Sequence, residues 1–217
     1  MKYSYPITIV DNFFDNPEAV VKFSQTLEYK FDPNYSYPGV RSSNLANISY
    51  NFSFFLAKKV LSLFYEKTPK EFLLSISFDV TQNRIYEEGW VHRDGDFDIT
   101  FLIYLNKSYK LNCGTSLYEL KSEYTSFPDN SYLMPLKYED FKNKQISEQG
   151  RKARIKNNSF FTKVLDVNPL YNRMLAFSSN QPHSANLFDT GTKEDRFILI
   201  GGISRISSVS PFQRKTT

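Results

Sequence analysis

Trp90-Val-His-Arg-Asp-Gly-Asp-Phe-Asp-Ile-Thr-Phe-Leu-Ile-Tyr-Leu-Asn106 is the stretch from which the rest of this 217-residue chain is best read. Its second half, Ile99 to Leu105, is an unbroken apolar and aromatic run, the pattern of a strand covered on both faces. Its first half is polar and holds His92, one of only two histidines in the chain. Upstream, Leu73 to Val80 and Gln82 to Tyr86 read as strands, with Glu87-Glu-Gly89 as a turn. Downstream, Asn112-Cys-Gly-Thr115 is a turn into Ser116 to Leu120. Strands resume at Arg173 to Phe177 and around His183 to Phe188. Asp189 to Glu194 supplies a turn, and Arg196 to Ile203 closes the series.

The N-terminal third has a different rhythm. Ile7 to Val10 is a short β-type run. Asn16 followed by Pro17 has the form of an N-cap with proline at the first helical position, predicting a helix to about Leu27. A loop rich in turn formers, Asp32 to Ser43, precedes a second predicted helix, Phe52 to Tyr65, with Phe55, Leu56, Val60, Leu61 and Phe64 on one face. Helices first and many short strands afterwards indicate an α+β fold, mainly β, with the strands forming a barrel or a double-sheet jelly roll. One domain over 1–217 accounts for the length: 1–71 as helical support, 72–120 and 164–205 as the β core, and 121–163 as an insertion or lid. From Leu136 to Lys163 that insertion has eight Lys or Arg against three acids, a net of +5, which exceeds the +4 of the whole chain.

Composition excludes several classes. A charge of +4 is too mild to argue for nucleic acid by itself. The single cysteine, Cys113, cannot form an internal disulfide, which favours a reducing, cytoplasmic setting. The opening residues lack the apolar core of a signal peptide, and no apolar run approaches the roughly 18 residues of a membrane helix. No Gly-x-Ser-x-Gly elbow of a serine hydrolase is present.

What remains informative is His92-x-Asp94 with the distant His183. In an extended segment, side chains two apart share a face, so His92 and Asp94 can converge on one ion. Two imidazoles and one carboxylate suit ferrous iron, because the carboxylate offsets charge and the set leaves coordination positions open. Asp96 and Asp98 are rival carboxylates, though the tight spacing favours Asp94. Sites with three or four histidines, or rich in cysteine, are excluded by the inventory. The plainer alternative is that both histidines are structural. Arg196 weighs against that. It starts an apolar strand thirteen residues after His183, and a hairpin turning near Gly191 would bring it close to the cross-strand partner of His183. A buried arginine needs an anion, and a dicarboxylate cosubstrate would supply one. The competing reading is a solvated strand-end arginine paired with Glu194 or Asp195.

His92-Arg-Asp94, Thr100 with Tyr104-Leu-Asn106, Cys113-Gly-Thr-Ser-Leu-Tyr118, Phe177, His183 and Arg196 together resemble the iron(II)- and 2-oxoglutarate-dependent oxygenases, particularly their prolyl-hydroxylase-like branch. The resemblance covers roughly residues 72–205. It implies a double-stranded β-helix in which His92, Asp94 and His183 bind iron and act in catalysis. It also implies that Arg196, helped by Tyr104, holds the distal carboxylate of 2-oxoglutarate, with Thr100 and the Gln82–Tyr86 strand lining that pocket. Dioxygen would be the co-reactant, and hydroxylation with release of succinate and carbon dioxide the reaction. An aspartate at position 94 argues against halogenation. Two departures are Ile198, where many members carry Ser or Thr, and Cys113, where the first glycine of a Gly-Gly-Thr turn is usual. The Tyr35 to Arg41 loop resembles small bacterial and phage members.

The substrate, a small molecule or a peptide, would meet loops at the mouth. Candidates are Tyr37, Arg41, Trp90 and Tyr86, together with the basic insertion. A cupin-like module binding metal or ligand without turnover is the alternative. A nucleic-acid or acidic-protein binder using Lys152 and Arg154 is a third reading, with nothing further in its support. The sequence leaves oligomeric state open.

Overall fold

The computed structural model describes residues 4–34, 37–82 and 87–207. Among the described residues, ten strands form two antiparallel sheets. In chain order the strands are β1 (Thr8–Val10), β2 (Tyr29–Lys30), β3 (Val40–Ser42), β4 (Leu73–Thr81), β5 (Ile99–Tyr104), β6 (Thr115–Leu120), β7 (Phe161–Val167), β8 (Met174–Ser178), β9 (His183–Ala185) and β10 (Arg196–Ser204). The larger sheet runs β1-β8-β5-β10-β4-β3-β2 and the smaller β7-β6-β9. The helices are α1 (Pro17–Ser24), α2 (Leu45–Ile48), α3 (Tyr50–Leu61), α4 (Met134–Asn143) and α5 (Glu148–Asn158). This is the expected α+β class. No helix among the described residues is long and apolar enough to cross a membrane.

Side-chain alternation in β5 and its neighbours explains how one sheet serves two cores. Phe101 and Ile103, with Ile76, Phe78, Leu199 and Ile203, face the helices, where they pack on Leu56, Val60 and Leu61 of α3. Leu102 and Tyr104, with Leu175, Phe177 and Ile198, point the other way and meet Leu117 and Val167 of the small sheet. Every residue of β5 is therefore buried, as its unbroken apolar run requires. Residues of both sheets also line a cavity beside this second core.

Local signals mostly hold. The Asn16 side chain accepts the Ala19 N–H at 3.0 Å, with Pro17 opening α1, which stops at Ser24, short of Leu27. The second helix starts at Tyr50 and ends at Leu61, preceded by the single turn α2. Phe55 is a correction: it is 53% exposed, and Ser53 and Ala57 occupy the buried stripe. Small residues there let the helix lie close to the sheet, and the aromatic ring is turned outward. Gly114, in the predicted turn before β6, is obligatory, since a Cβ there would meet the Val167 carbonyl. Gln82 lies beyond β4 and outside any strand, and the remainder of the Gln82–Tyr86 segment, 83–86, falls outside the described residues.

Two expectations about the second half need correction. The hairpin predicted between His183 and Arg196 does not exist. β9 belongs to the small sheet and pairs with β6, whereas β10 lies in the large sheet between β4 and β5. The turn after Phe188 carries the chain across from one sheet to the other. The insertion is built on two helices. Helices α4 and α5 enclose a third core of Trp90, Leu133, Phe141, Ala153 and Phe188. Ser147 caps α5 by accepting the Gly150 N–H at 2.9 Å, and Asp140 accepts the Ser147 N–H at 3.0 Å. Arg154, a cation expected on a binding surface, is buried and pairs with Glu87 at 2.7 Å.

The phase of α3 is testable by urea unfolding. Leu56→Ala is expected to cost about 2–5 kcal/mol, and Phe55→Ala no more than about 0.5 kcal/mol, because only the first leaves a cavity.

Candidate metal centre

The site begins with a backbone contact. His92 donates its N–H to the His183 carbonyl at 3.0 Å, and His183 returns the bond at 2.9 Å. Such a reciprocally bonded antiparallel pair puts both side chains on one face, and the two rings lie 4.4 Å apart. The chain then leaves the small sheet, and the Asp94 N–H bonds to the Ser179 carbonyl, at the end of β8 in the large sheet. The carboxylate of Asp94 thus enters the gap between the sheets. Its Oδ1 lies 3.6 Å from His92 Nε2 and its Oδ2 3.4 Å from His183 Nε2. One donor atom from each of these residues lies within 4.8 Å of the others, the only such group among the described residues. Neither Asp96 nor Asp98 joins it. Asp98 lies within the backbone ladder, donating to Ile203 and accepting from Ser179.

The imidazoles are held by their outer nitrogens. His92 Nδ1 lies 2.8 Å from the Trp90 carbonyl and His183 Nδ1 3.0 Å from the Gln181 carbonyl. A carbonyl can only accept, so Nδ1 carries the proton and Nε2 presents its lone pair to the centre. Thr100 donates to Asp94 Oδ2 at 3.0 Å, orienting the third group. Desolvation, and then the neighbouring His183, hold the His92 pKa well below the ordinary imidazole value. Its side chain keeps 45% of its surface open to the cavity, so the effect is that of a pocket wall and not of a sealed core. The Asp94 carboxyl titrates lower than usual: burial opposes ionisation, but His183, His92 and the Thr100 hydrogen bond outweigh it. A neutral His92 imidazole beside an ionised Asp94 carboxylate is an arrangement that suits a cation.

The three groups open on a cavity of about 570 Å³ lined by both sheets, by α4 and α5, and by the loop at Tyr37. Arg196 lines the same cavity from the large sheet. It is 5% exposed, which rules out the solvated strand-end reading, and its Nε reaches the Cys113 carbonyl at 3.5 Å. Ile198 and Ile200 follow it on the cavity face. Tyr104 and Thr100 stand elsewhere than expected. Thr100 lies beneath Asp94, and Tyr104 is one layer behind the cavity, donating to Thr115 Oγ1 at 2.8 Å. Burial pushes the Tyr104 hydroxyl up to about 12, so it stays protonated. At the rim, Arg41 lies 3.5 Å over the Tyr37 ring and binds Asp79 at 2.7 Å. Trp90 is both wall and core, lining the cavity and packing on the helices of the insertion. Tyr86 lies outside the described residues.

Several contributors had no individual role in the sequence reading. Thr115, Asp79 and Lys137 line the cavity. Asn157 and Asn158 at the end of α5 grip the segment leading to His92. Val91 N–H donates to Asn158 Oδ1 at 2.9 Å, while Asn158 Nδ2 and Asn157 Nδ2 each donate at 3.0 Å, to the Gly89 and Val91 carbonyls respectively. An Asn-Asn pair at a helix end, facing an irregular segment 66 residues earlier, is found only by folding the chain.

With the geometry in hand, comparison with known proteins is informative. A family model described as "Family of unknown function (DUF6445)" matches residues 2–196. No curated protein matches the chain. Among solved structures, HygX from Streptomyces hygroscopicus, crystallised with nickel and 2-oxoglutarate, superposes with a TM-score of 0.61 at 11% identity. That match covers 95% of this chain and 85% of HygX. The non-heme alpha ketoglutarate dependent epimerase SnoN from nogalamycin biosynthesis gives 0.57 at 12%, covering 91% and 76%. A Pseudomonas putida prolyl-4-hydroxylase gives 0.53 at 12%, covering 92% of each chain. At such identities the likeness is one of fold.

The rim ion pair yields a prediction. Arg41→Ala leaves the buried Asp79 carboxylate without its cation, and urea unfolding is expected to show a loss of about 1–3 kcal/mol. Asp79→Asn in the same background restores much of it.

Proposed function

We propose that this chain, which belongs to the DUF6445 family of unknown function, is an iron(II)- and 2-oxoglutarate-dependent dioxygenase that hydroxylates an organic substrate. The observation that carries this reading is the convergence of His92, Asp94 and His183 within 4.8 Å, with both Nδ1 atoms engaged by carbonyls. A structural pair of histidines has no need of a shared carboxylate or of two Nε2 atoms directed at one point. The fold likeness to enzymes crystallised with 2-oxoglutarate supports the same conclusion. We take the two sheets as a double-stranded β-helix, the whole chain as one oxygenase domain, and the 121–163 insertion as part of its cavity wall.

In this reading His92 and His183 hold iron through Nε2 and Asp94 through its carboxylate, with Thr100 fixing the carboxylate. Bound iron, with 2-oxoglutarate and dioxygen, supplies an oxidant able to attack an unactivated C–H bond, while the cosubstrate leaves as succinate and carbon dioxide. The protein binds and orients. Arg196, buried on the same cavity wall, offers its guanidinium to the distal carboxylate of 2-oxoglutarate. Ile198, the register partner of Tyr104, brings no hydroxyl there. Thr115 is the replacement: its Oγ1 accepts a hydrogen bond from the Tyr104 hydroxyl, which leaves its own O–H to donate into the cavity. Trp90 and Phe188 keep water from the opposite wall.

The test is anaerobic. Ferrous iron and 2-oxoglutarate added to the purified protein are expected to give a weak visible charge-transfer band, abolished in His183→Ala and weakened in Arg196→Ala. A folded, iron-bound protein with no band sinks the assignment and leaves a metal-binding module without turnover. The same titration separates two further residues. Thr115→Val should raise the 2-oxoglutarate concentration for half-maximal band about tenfold, the effect of one lost hydrogen bond to a charged group. Asn158→Ala, which frees the His92 segment, should weaken nickel binding by calorimetry about tenfold while unfolding stays cooperative.

A further inference from the structure

The electrostatics of the cavity wall opposite Arg196 point to the class of substrate. Among the described residues, five cationic side chains line the cavity: Arg41, Arg93, Lys137, Arg154 and Arg196. Four have a partner or an assigned task. Arg41 is bound to Asp79, and Arg154 to Glu87 with Glu88 beyond. Arg93 lies 3.4 Å over the Phe127 ring, and Arg196 is assigned above to the cosubstrate. Lys137 of α4 has only a distant ring contact. It is half-buried and makes no salt bridge among the described residues. Its ammonium sits 5.6 Å from the Phe141 ring.

Neither acid of its own helix forms a salt bridge with it, and Glu139 accepts from Asn143 at 2.9 Å. Asp140, one turn along, gives Oδ1 to the Ser147 N–H and is pressed against Gly150, where even a Cβ would collide with Oδ2. Burial lowers the Lys137 pKa to about 8, and Asp94, the only opposing influence, raises it. Its charge also reaches His92. A lysine that lines the same cavity as a divalent-cation centre is unfavourable unless an anion lies between them.

We propose that the part of the cavity beneath α4 is a subsite for a carboxylate or phosphate group of the substrate, with Lys137 as its anchoring cation. This rests on the oxygenase reading and narrows it: the substrate is a small molecule that carries one oxyanion, held at Lys137 so that a C–H bond beyond it lies toward His92, Asp94 and His183. A cavity of about 570 Å³ suits such a molecule beside the cosubstrate. Trp90, the sole tryptophan, lines the same cavity and reports its occupancy.

The test uses protein loaded with nickel and 2-oxoglutarate, titrated with inorganic phosphate and separately with acetate at constant ionic strength, read by Trp90 fluorescence. Wild type should show a saturable change with at least one of the two anions, and the preferred anion identifies the oxyanion. Lys137→Met should weaken it about tenfold or more, the effect of losing a charged hydrogen-bond donor. Lys137→Arg should retain it, as should Lys152→Met, whose exposed cation is on the same insertion. No saturable change in wild type, or equal binding in Lys137→Met, overturns the proposal. A raised 2-oxoglutarate midpoint for the charge-transfer band in Lys137→Met also overturns it, because the lysine would then serve the cosubstrate. Failure of the oxygenase reading is seen separately, as the lack of that band in wild type.

Discussion

The reciprocal backbone pair between His92 and His183 is the contact on which the rest depends. Two N–H···O bonds of ordinary length fix a polar loop against β9, a strand only three residues long. Everything chemical follows from that register. Because side chains alternate along an extended backbone, slipping either partner by one residue would turn one imidazole away from the cavity. The small sheet can hold such a short strand because β9 is fastened on its other side to β6. The precision of the centre therefore comes from main-chain geometry, and side-chain hydrogen bonds refine it.

Much of this was legible in the sequence, and the reasons differ from residue to residue. His92 and Asp94 are close in the chain and their spacing carries its own geometry. The scarcity of histidine made His183 the only possible companion. Strand β5 announced itself because burial on both faces removes polar residues from the run. The links between distant segments were harder to read. The turn after Phe188 looks like a hairpin, with a positive-φ glycine at Gly191, yet it carries the chain between sheets. Local turn chemistry sets a reversal but not which strand the chain will pair with afterwards. Arg196 was rightly expected to be buried, although the route that buries it was misread.

The insertion shows the same limit. In the sequence it stood out by its net charge, and α5 holds only two apolar residues, Ala153 and Ile155. The apolar residues that bind it, Leu133, Phe141 and Ala153, are too sparse to form a pattern, and two of the five residues of their core, Trp90 and Phe188, come from elsewhere. Charge neutralisation is likewise non-local. Glu87 takes up both Arg151 and Arg154, so a segment that is basic on paper presents less charge once folded.

Asn157 and Asn158 have a mechanical consequence. The end of α5 is fastened to the backbone of residues 89–91, the same span that leads into His92. Any swing of that helix away from the cavity would drag the histidine with it and break the pairing to His183. Helix α5 is thus a buttress and not a door. Gly95 and Asp96, both exposed, edge the same cavity away from that helix end.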